Sequence, residues 1–326
     1  MVDQVTLEGF GDVITATLRN SKTEVADGIS NHNALYARMK KKGNIRMEAG
    51  GTVIDCPIMY QGPGVYQRYF GADPLDISFQ QSHTHSRWEW KQAVVHVTSH
   101  GRELQINRGR SKIFNLAKSK IKAAIAQAAN GMSADLWSAG LLDNQLTGIQ
   151  AIVTTDGLGV VGGISATTEE WWRSIVQSAA APIQGGGAIT PGPTTIESLM
   201  GPLYRRLTIG SSTPDMIVLS ESYYNFFELS QVSLKRYTNE SSGDAGFVSL
   251  KYHGSDVFHE TAVSGIPDNT GYFLNTDYME LVVSEGRNWE QADDKSPVNQ
   301  DTVVTPIYFM GNNAASDRRR LGLMKA

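Results

Sequence analysis

The 326-residue chain has a single cysteine, Cys56, so no disulfide can form within it. That excludes a disulfide-stapled secreted fold and fits a reducing compartment. There is no apolar run of the roughly 18 residues that a membrane-spanning helix needs. The opening residues, MVDQVTLEGFGD, lack the basic-then-apolar order of a secretory signal, so none is expected. Positive charge is not in excess: 29 Lys and Arg stand against 33 Asp and Glu, a formal net charge of −4. Proteins that grip nucleic acid through its phosphates carry a basic surplus, so any such contact here is expected to be loose. Proline is sparse at 11 residues and glycine plentiful at 32, which predicts many turns and long loops. What remains is a globular composition, 40% hydrophobic and 19% charged, long enough for one large or two modest domains.

The clearest periodic signal lies at 111–138. Ile113, Ala117, Ile121, Ala124, Ile125, Ala128, Met132 and Leu136 recur at three- and four-residue steps, with Lys118 and Lys122 on another face. This predicts an amphipathic, Ala-rich helix about 40 Å long. Upstream, residues 1–45 show no compact pattern. A short helix is expected within 21–42, with Val25, Ile29, Leu35 and Met39 on one side and the basic run Lys40, Lys41, Lys42 at its end. Such a run suits a solvated helix C-terminus; an inward contact with nucleic acid is the alternative.

GGTVIDCPIMY (50–60) reads as a strand opened by glycines, and SRWEWKQAVVHVT (86–98) begins with strand-like alternation. Between them lies QGPGVYQRYFGADP, so the segment reads as a long two-stranded projection with an aromatic tip. An isolated hairpin is marginally stable in water, so this one is expected to rest on something, such as a neighbouring subunit. After residue 140 the pattern becomes mixed α/β. Thr167 with Glu170, and Thr194 with Glu197, read as capping boxes. PDMIVLS (214–220) reads as a buried strand running into a helix at ESYYNFFELSQ, and GYFLNTDYMELVV (271–283) as one or two strands. QGGGAITPGP (184–193) reads as a loop. The C-terminus reads as an apolar strand, a Gly-Asn turn and a final basic strand.

Gly157, Gly159 and Gly162 have the spacing of a dinucleotide-binding loop, and Ile149–Val153 before them could be a strand. The context fails in three ways. No helix opens directly after the glycines, no acidic residue follows about 20 residues on, and βαβ alternation is missing. Two short strands joined by a glycine turn explain the stretch better. His83 and His85 share a strand face and could be joined by His96 or His100 as metal ligands, but no acidic or cysteine cluster supports this; exposed histidines near the projection tip are expected. No G-x-S-x-G elbow or other convergent motif names a nucleophile. Cys56 beside Pro57 fits a packed apolar thiol. Arg318, Arg319 and Arg320 fit phosphate binding and bridging to acidic groups on a neighbour equally well. With a long helix, an aromatic-tipped hairpin and no convincing active site, the chain reads as a structural assembly protein.

Several stretches, in this order, carry a specific resemblance: RWEWKQAVVHVTSHGREL (87–104), NGMSADLWSAG (130–140), LTGIQAIVTTD (146–156) with VGGISATTEEWWR (161–173), SLKYHGSDVFHE (249–260), GYFLNTDY (271–278) and VNQDTVVTPIYFMGNNAASDRRRLGLM (298–324). From about residue 45 to the C-terminus the chain resembles tailed-bacteriophage major capsid proteins with the Hong Kong 97-type shell fold. The resemblance implies an α+β architecture: an N-terminal arm (1–45), an extended E-loop hairpin (46–103), a P-domain with a long spine helix and C-terminal strands (104–143 and 292–326), and a mixed α/β A-domain (144–291).

The implied role is structural, with no enzyme activity, cofactor or metal. Pentamers and hexamers of the chain would close an icosahedral shell around double-stranded DNA. The expected partners are copies of the chain, a portal, and scaffolding or decoration proteins, with loose DNA contact and no membrane. The expected location is the virion, assembled in the host cytoplasm. Tyr66, Arg68, Tyr69 and Phe70 at the E-loop tip would contact the next subunit, and Gly62, Gly64 and Gly71 would let the hairpin bend. Arg318–Arg320 and Lys40–Lys42 would face a neighbour or DNA. The short segment before the E-loop implies either a processed form or a separate scaffold. The residues for the covalent crosslinks of some members cannot be matched. An encapsulin-like compartment is the alternative within the fold, although no cargo-peptide groove can be located. A nucleotide-dependent oxidoreductase is the alternative outside it.

Overall fold

The computed structural model describes residues 33–61, 66–76, 78, 81–102, 110–234, 250–260, 265–296 and 298–326. Val25 and Ile29, Gly62 and Gly64, and the side chains of Ile113, Ala117 and Lys118 lie outside the described residues, as does most of the expected arm.

The first described element, helix α1 (Ala34–Lys42), starts where Asn33 accepts the Tyr36 N–H through its side chain and stops where Gly43 turns left-handed. Leu35 and Met39, one turn apart, are fully buried. Strand β1 (Ile45–Glu48) follows, then the hairpin β2 (Ile54–Met59) and β3 (His83–Trp88), then β4 (Lys91–His100). The long helix α2 spans Arg110–Trp137, within a residue of the expected limits. Ile121, Ala124, Ala128, Met132 and Leu136 form its buried stripe, joined by Ala129 and Trp137.

Two larger sheets organise the rest. One has the order β1-β12-β13-β4, where β12 is Met279–Gln291 and β13 is Thr302–Ala315. β12 runs parallel to β1 and antiparallel to β13, and β13 is antiparallel to β4 over ten residue pairs from Thr302↔His100 to Gly311↔Lys91. The other has the order β7-β14-β11-β8-β10-β9: β7 (Ile175–Ser178), β8 (Met216–Ser220), β9 (Leu250–Tyr252), β10 (Ser255–Glu260), β11 (Thr270–Leu274) and β14 (Gly322–Lys325).

β8 shows why MIVLS is a continuous apolar run. Alternate side chains point to opposite faces, and both faces are covered. Ile217 and Leu219 pack with helices α4 (Ile196–Leu207) and α5 (Glu221–Leu234), while Met216 and Val218 pack into the core that α1, α2 and the four-stranded sheet share. Phe273 against Tyr272 and Leu274 on β11, and Met324 against Leu323 on β14, divide in the same way.

Several expectations are corrected. Ile149–Ile152 is a short helix, α3, not a strand. No helix opens at Thr167: Glu170–Trp172 is a single 3-10 turn without a side-chain cap. The helix expected at Thr194 has Thr195 at its cap position, and that hydroxyl bonds the Thr190 and Gly192 carbonyls rather than closing a box with Glu197. Gly311-Asn312 is not a turn, because β13 runs through it. The chain turns instead at Asp317–Leu321, where Arg318–Arg320 form a 3-10 turn. GYFLNTDYMELVV, expected as one or two strands, is two, one in each large sheet. In the sheets, β4 and β12 flank β13 on its two sides, and β14 is an inner strand of the six-stranded sheet, between β7 and β11.

Candidate assembly interface

The hairpin has two halves with different surroundings. At the root, Ile54, Cys56 and Ile58 on β2 and Ser86 and Trp88 on β3 are buried, while Asp55, Pro57, Met59, His85 and Arg87 face out. Period two on each strand and the pairing Ile54↔Trp88, Cys56↔Ser86 put the buried set on one face. That face lies on the chain's own body: the Ser86 hydroxyl donates to the Ala315 carbonyl at 3.3 Å, and the Arg87 N–H donates to the Gly162 carbonyl at 2.9 Å. The root is thus supported by its own chain. Cys56 is packed here, and burial, with Glu280 adding to it, pushes its thiol up to about 11, so it is not a nucleophile near neutrality.

At the tip the described chain leaves the aromatics largely exposed. Tyr66 and Phe70 are each 88% exposed and Tyr69 65%, and Arg68 is exposed as well. The tip nevertheless has local order. Gln67 bridges it from both ends of its amide, donating to the Pro74 carbonyl at 3.1 Å and accepting the Asp76 N–H at 2.8 Å. The Asp73 carboxylate accepts the Phe70 N–H at 2.9 Å, and Gly71 takes a left-handed conformation at φ 61°. Asp76 accepts the Ser78 N–H, which holds its carboxyl below the usual carboxylate range.

The three arginines, expected to face a neighbour or DNA, make contacts within the chain. Arg318 is fully buried. Its Nε donates to the Ile152 carbonyl at 2.7 Å, and its other nitrogens reach the Trp172 carbonyl at 3.1 Å and the Thr154 hydroxyl at 3.3 Å. Burial, partly offset by the Asp156 charge, lowers its pKa to about 10. Within the single chain its side chain is closed off from solvent. Arg319 pairs with Asp317 at 3.1 Å. Arg320 lies 3.5 Å from the same carboxylate and 5.1 Å over the Tyr278 ring.

The lysine run divides. Lys40 and Lys41 are exposed in the last turn of α1, where cations suit the helix dipole. Lys42 instead reaches Asp277 at 2.6 Å and Asp215 at 3.1 Å. One turn earlier on the same face, Arg38 meets Asp215 at 3.0 Å and Asp256 at 2.9 Å. Burial would raise the Asp215 carboxyl, but the Thr276 N–H and hydroxyl, Lys42 and Arg38 together hold it below the usual range. This cluster ties α1 to β10 and to the segment before β8. The sequence reading missed it; the four-residue spacing of Arg38 and Lys42 was the available signal.

The glycine motif forms β5 (Val160–Val161) and β6 (Ile164–Ser165), joined by Gly162-Gly163 with φ 59° and 76°. Positive φ at both positions is what a two-residue hairpin turn of this hand requires. The stretch is strand–turn–strand, as expected, and lacks the strand–turn–helix that would present N–H groups to a pyrophosphate. Among the described residues no three His, Cys, Asp or Glu side chains converge as metal ligands, and His83, His85, His96 and His100 all face outward.

No protein-family model matches the chain, and no curated protein sequence does. Solved structures do. A chain of the cyanophage A-1(L) capsid asymmetric unit superimposes with a TM-score of 0.62 at 16% identity, covering 86% of this chain and 90% of that one. A chain from the capsid of a native GTA particle gives 0.55 at 13% identity, covering 87% and 88%. The holo-SrpI encapsulin complex from Synechococcus elongatus PCC 7942 gives 0.51 at 9% identity, covering 74% and 75%. The chain has the phage-capsid fold that the sequence resemblance implied, the Hong Kong 97-type shell fold.

Proposed function

We propose that this chain is the major capsid protein of a tailed bacteriophage, a structural protein without enzyme activity. Many copies, as pentamers and hexamers, close an icosahedral shell around double-stranded DNA. The observation that carries this reading is the hairpin tip. A fold shared with capsid chains over about 87% of the sequence holds out three aromatic side chains that its described residues leave largely exposed. Exposed aromatics on a locally ordered loop are what a buried interface centre needs. Tyr66, Arg68, Tyr69 and Phe70 are assigned to the next subunit in the ring, and heterologous contacts of this kind close into rings. Specific interfaces bury about 1,600 Å², so the tip would be one contact among several.

Lys40 and Lys41 are the residues kept as candidates for loose DNA contact. The net charge of −4 fits a wall that does not hold DNA tightly. A portal and scaffolding or decoration proteins are the further partners this reading implies, with assembly in the host cytoplasm and residence in the virion. The encapsulin reading is weaker, because that neighbour is covered over 74% of this chain against 86% and 87% for the phage and GTA capsids.

Electron microscopy of the purified chain tests the proposal. Uniform closed shells, or rings of five and six subunits, are the expected result. Monomers or dimers at every concentration, with no larger closed species, would overturn it.

A further inference from the structure

The geometry points to a seat for the hairpin inside the same subunit. We infer that Trp171 and the Gly162 turn are positioning residues that set the angle at which the hairpin leaves the body, and hence the size of particle it builds. The consequence for particle size rests on the shell reading; the seat itself does not.

Three contacts make the seat. Tyr60, just past the end of β2, stacks on Trp171 with ring centroids 4.7 Å apart and planes 17° from parallel. The Gly162 carbonyl accepts the Arg87 N–H from β3, so one strand is held from each side of the hairpin. Ile58 packs into a small cluster with Ala166 and Trp172, against which Ile164 and Trp171 also lie. There is no spare room: a Cβ at Gly162 would come within 3.0 Å of Ser86 Cβ and 3.1 Å of the Trp88 ring.

The seat is itself fixed from below. The Trp171 indole donates to Glu169 at 2.6 Å, the Trp172 indole donates to the Val161 carbonyl at 2.9 Å, and buried Arg318 holds the Trp172 carbonyl. A flat aromatic stack at the root of a lever is a sensitive place to set its direction, because a small rotation there moves the tip residues far more. Without the stack, β2 and β3 keep only the lower part of their support.

The test uses the full chain, with hydrogen exchange of residues 54–59 and 83–88 before assembly and particle diameter by electron microscopy after it. Trp171→Ala is expected to speed exchange in both strands by about tenfold and to replace one particle diameter with several. Trp171→Phe, which keeps a stacking ring, is expected to restore both readouts. Tyr60→Ala removes the stack from the hairpin side without touching the Trp172 core and should match Trp171→Ala, which covers the case where the tryptophan variant fails to fold. Unchanged exchange in Tyr60→Ala would overturn the seat. Faster exchange with a single unchanged diameter would overturn its role in particle size. If the wild-type chain forms no particles the shell reading fails, while the exchange comparison still decides the seat.

Discussion

Arg318 Nε donates to the Ile152 carbonyl at 2.7 Å, joining the C-terminal 3-10 turn to the helix that follows the long α2. A guanidinium buried among carbonyls and a hydroxyl stays charged because its planar fork satisfies several acceptors at once. Truncation would strand the Ile152 and Trp172 carbonyls, at about 1–3 kcal/mol for each buried group left unpaired. Arg318→Ala is expected to lower the unfolding free energy of the unassembled chain by about 3 kcal/mol or more. Arg318→Lys should recover only part of this, because an ammonium cannot span both carbonyls. Urea denaturation of the unassembled chain measures both; a lysine variant with a wild-type midpoint would contradict the fork argument.

The three arginines also show where sequence reading ends. Elements whose pattern is local were legible. The stripe Ile121–Leu136 gave α2 within a residue, and MIVLS gave a buried strand because both of its faces are covered. What failed depended on neighbours distant in sequence. Three adjacent arginines look like a basic patch, yet one lies in a cage formed by residues 152, 154 and 172. Gly311-Asn312 looks like a turn, yet β12 and β4 on either side keep the strand extended. The uncovered aromatic tip was visible in composition; the seat beneath the hairpin was not, because Tyr60 and Trp171 are more than a hundred residues apart.

Asp215 makes the anchoring of α1 acid-sensitive. Its folded-state pKa lies below its ordinary value, so its contribution is complete above that value and is lost as pH falls through the folded pKa. The hydrogen-exchange protection of Leu35–Met39 should therefore hold from neutral pH to about 4 and weaken below it. Asp215→Asn should weaken protection at neutral pH and remove most of the acid dependence. An acid transition of unchanged size in that variant would assign it to other carboxylates.

Asp135 should behave in the opposite way. Burial on α2 raises its carboxyl above the ordinary value, with the Gln145 amide only partly offsetting it. The folded chain thus binds this proton more tightly than the unfolded chain does. Stability from this group is greatest below the ordinary carboxylate value and declines as pH rises through the folded pKa, leaving a net cost at neutrality. Asp135→Asn keeps an oxygen for Gln145 and removes the buried charge, so its melting temperature at pH 7 should exceed that of the wild-type chain. The difference should shrink as pH falls toward 4. A lower melting temperature at pH 7 would show that the charge is stabilising.

Gly148 is a test of space alone. Its φ of −83° is open to any residue, but a Cβ there would overlap the backbone of Ser138. Backbone cannot move aside as a long side chain can, and overpacking of this kind costs about 1–3 kcal/mol. Gly148→Ala should lower the urea midpoint of the unassembled chain, whereas Gly163→Ala, with nothing within 4 Å of its added carbon, should pay only the smaller strain of its positive φ. Equal losses in the two variants would mean that conformation rather than space dominates.

The hairpin tip separates folding from assembly most cleanly. Phe70 is 88% exposed, so replacing it by serine removes almost nothing from the folded single chain, and the melting temperature before assembly should not change. In a shell the same ring would be buried against the next subunit, where an aromatic side chain contributes about 1.5–3 kcal/mol. A loss of 1.4 kcal/mol corresponds to about a tenfold change in an equilibrium constant. Phe70→Ser should therefore raise the protein concentration at which particles first form by about tenfold or more, and Tyr69→Ser should act in the same direction but less, since Tyr69 is already partly covered. Gln67→Ala leaves the aromatics in place and removes the bridge to Pro74 and Asp76, so it should raise the threshold by a smaller factor through loss of loop order. Light scattering against concentration reads the threshold. If Phe70→Ser assembles at the wild-type concentration, the tip is not an interface and the subunits must be joined through other surfaces.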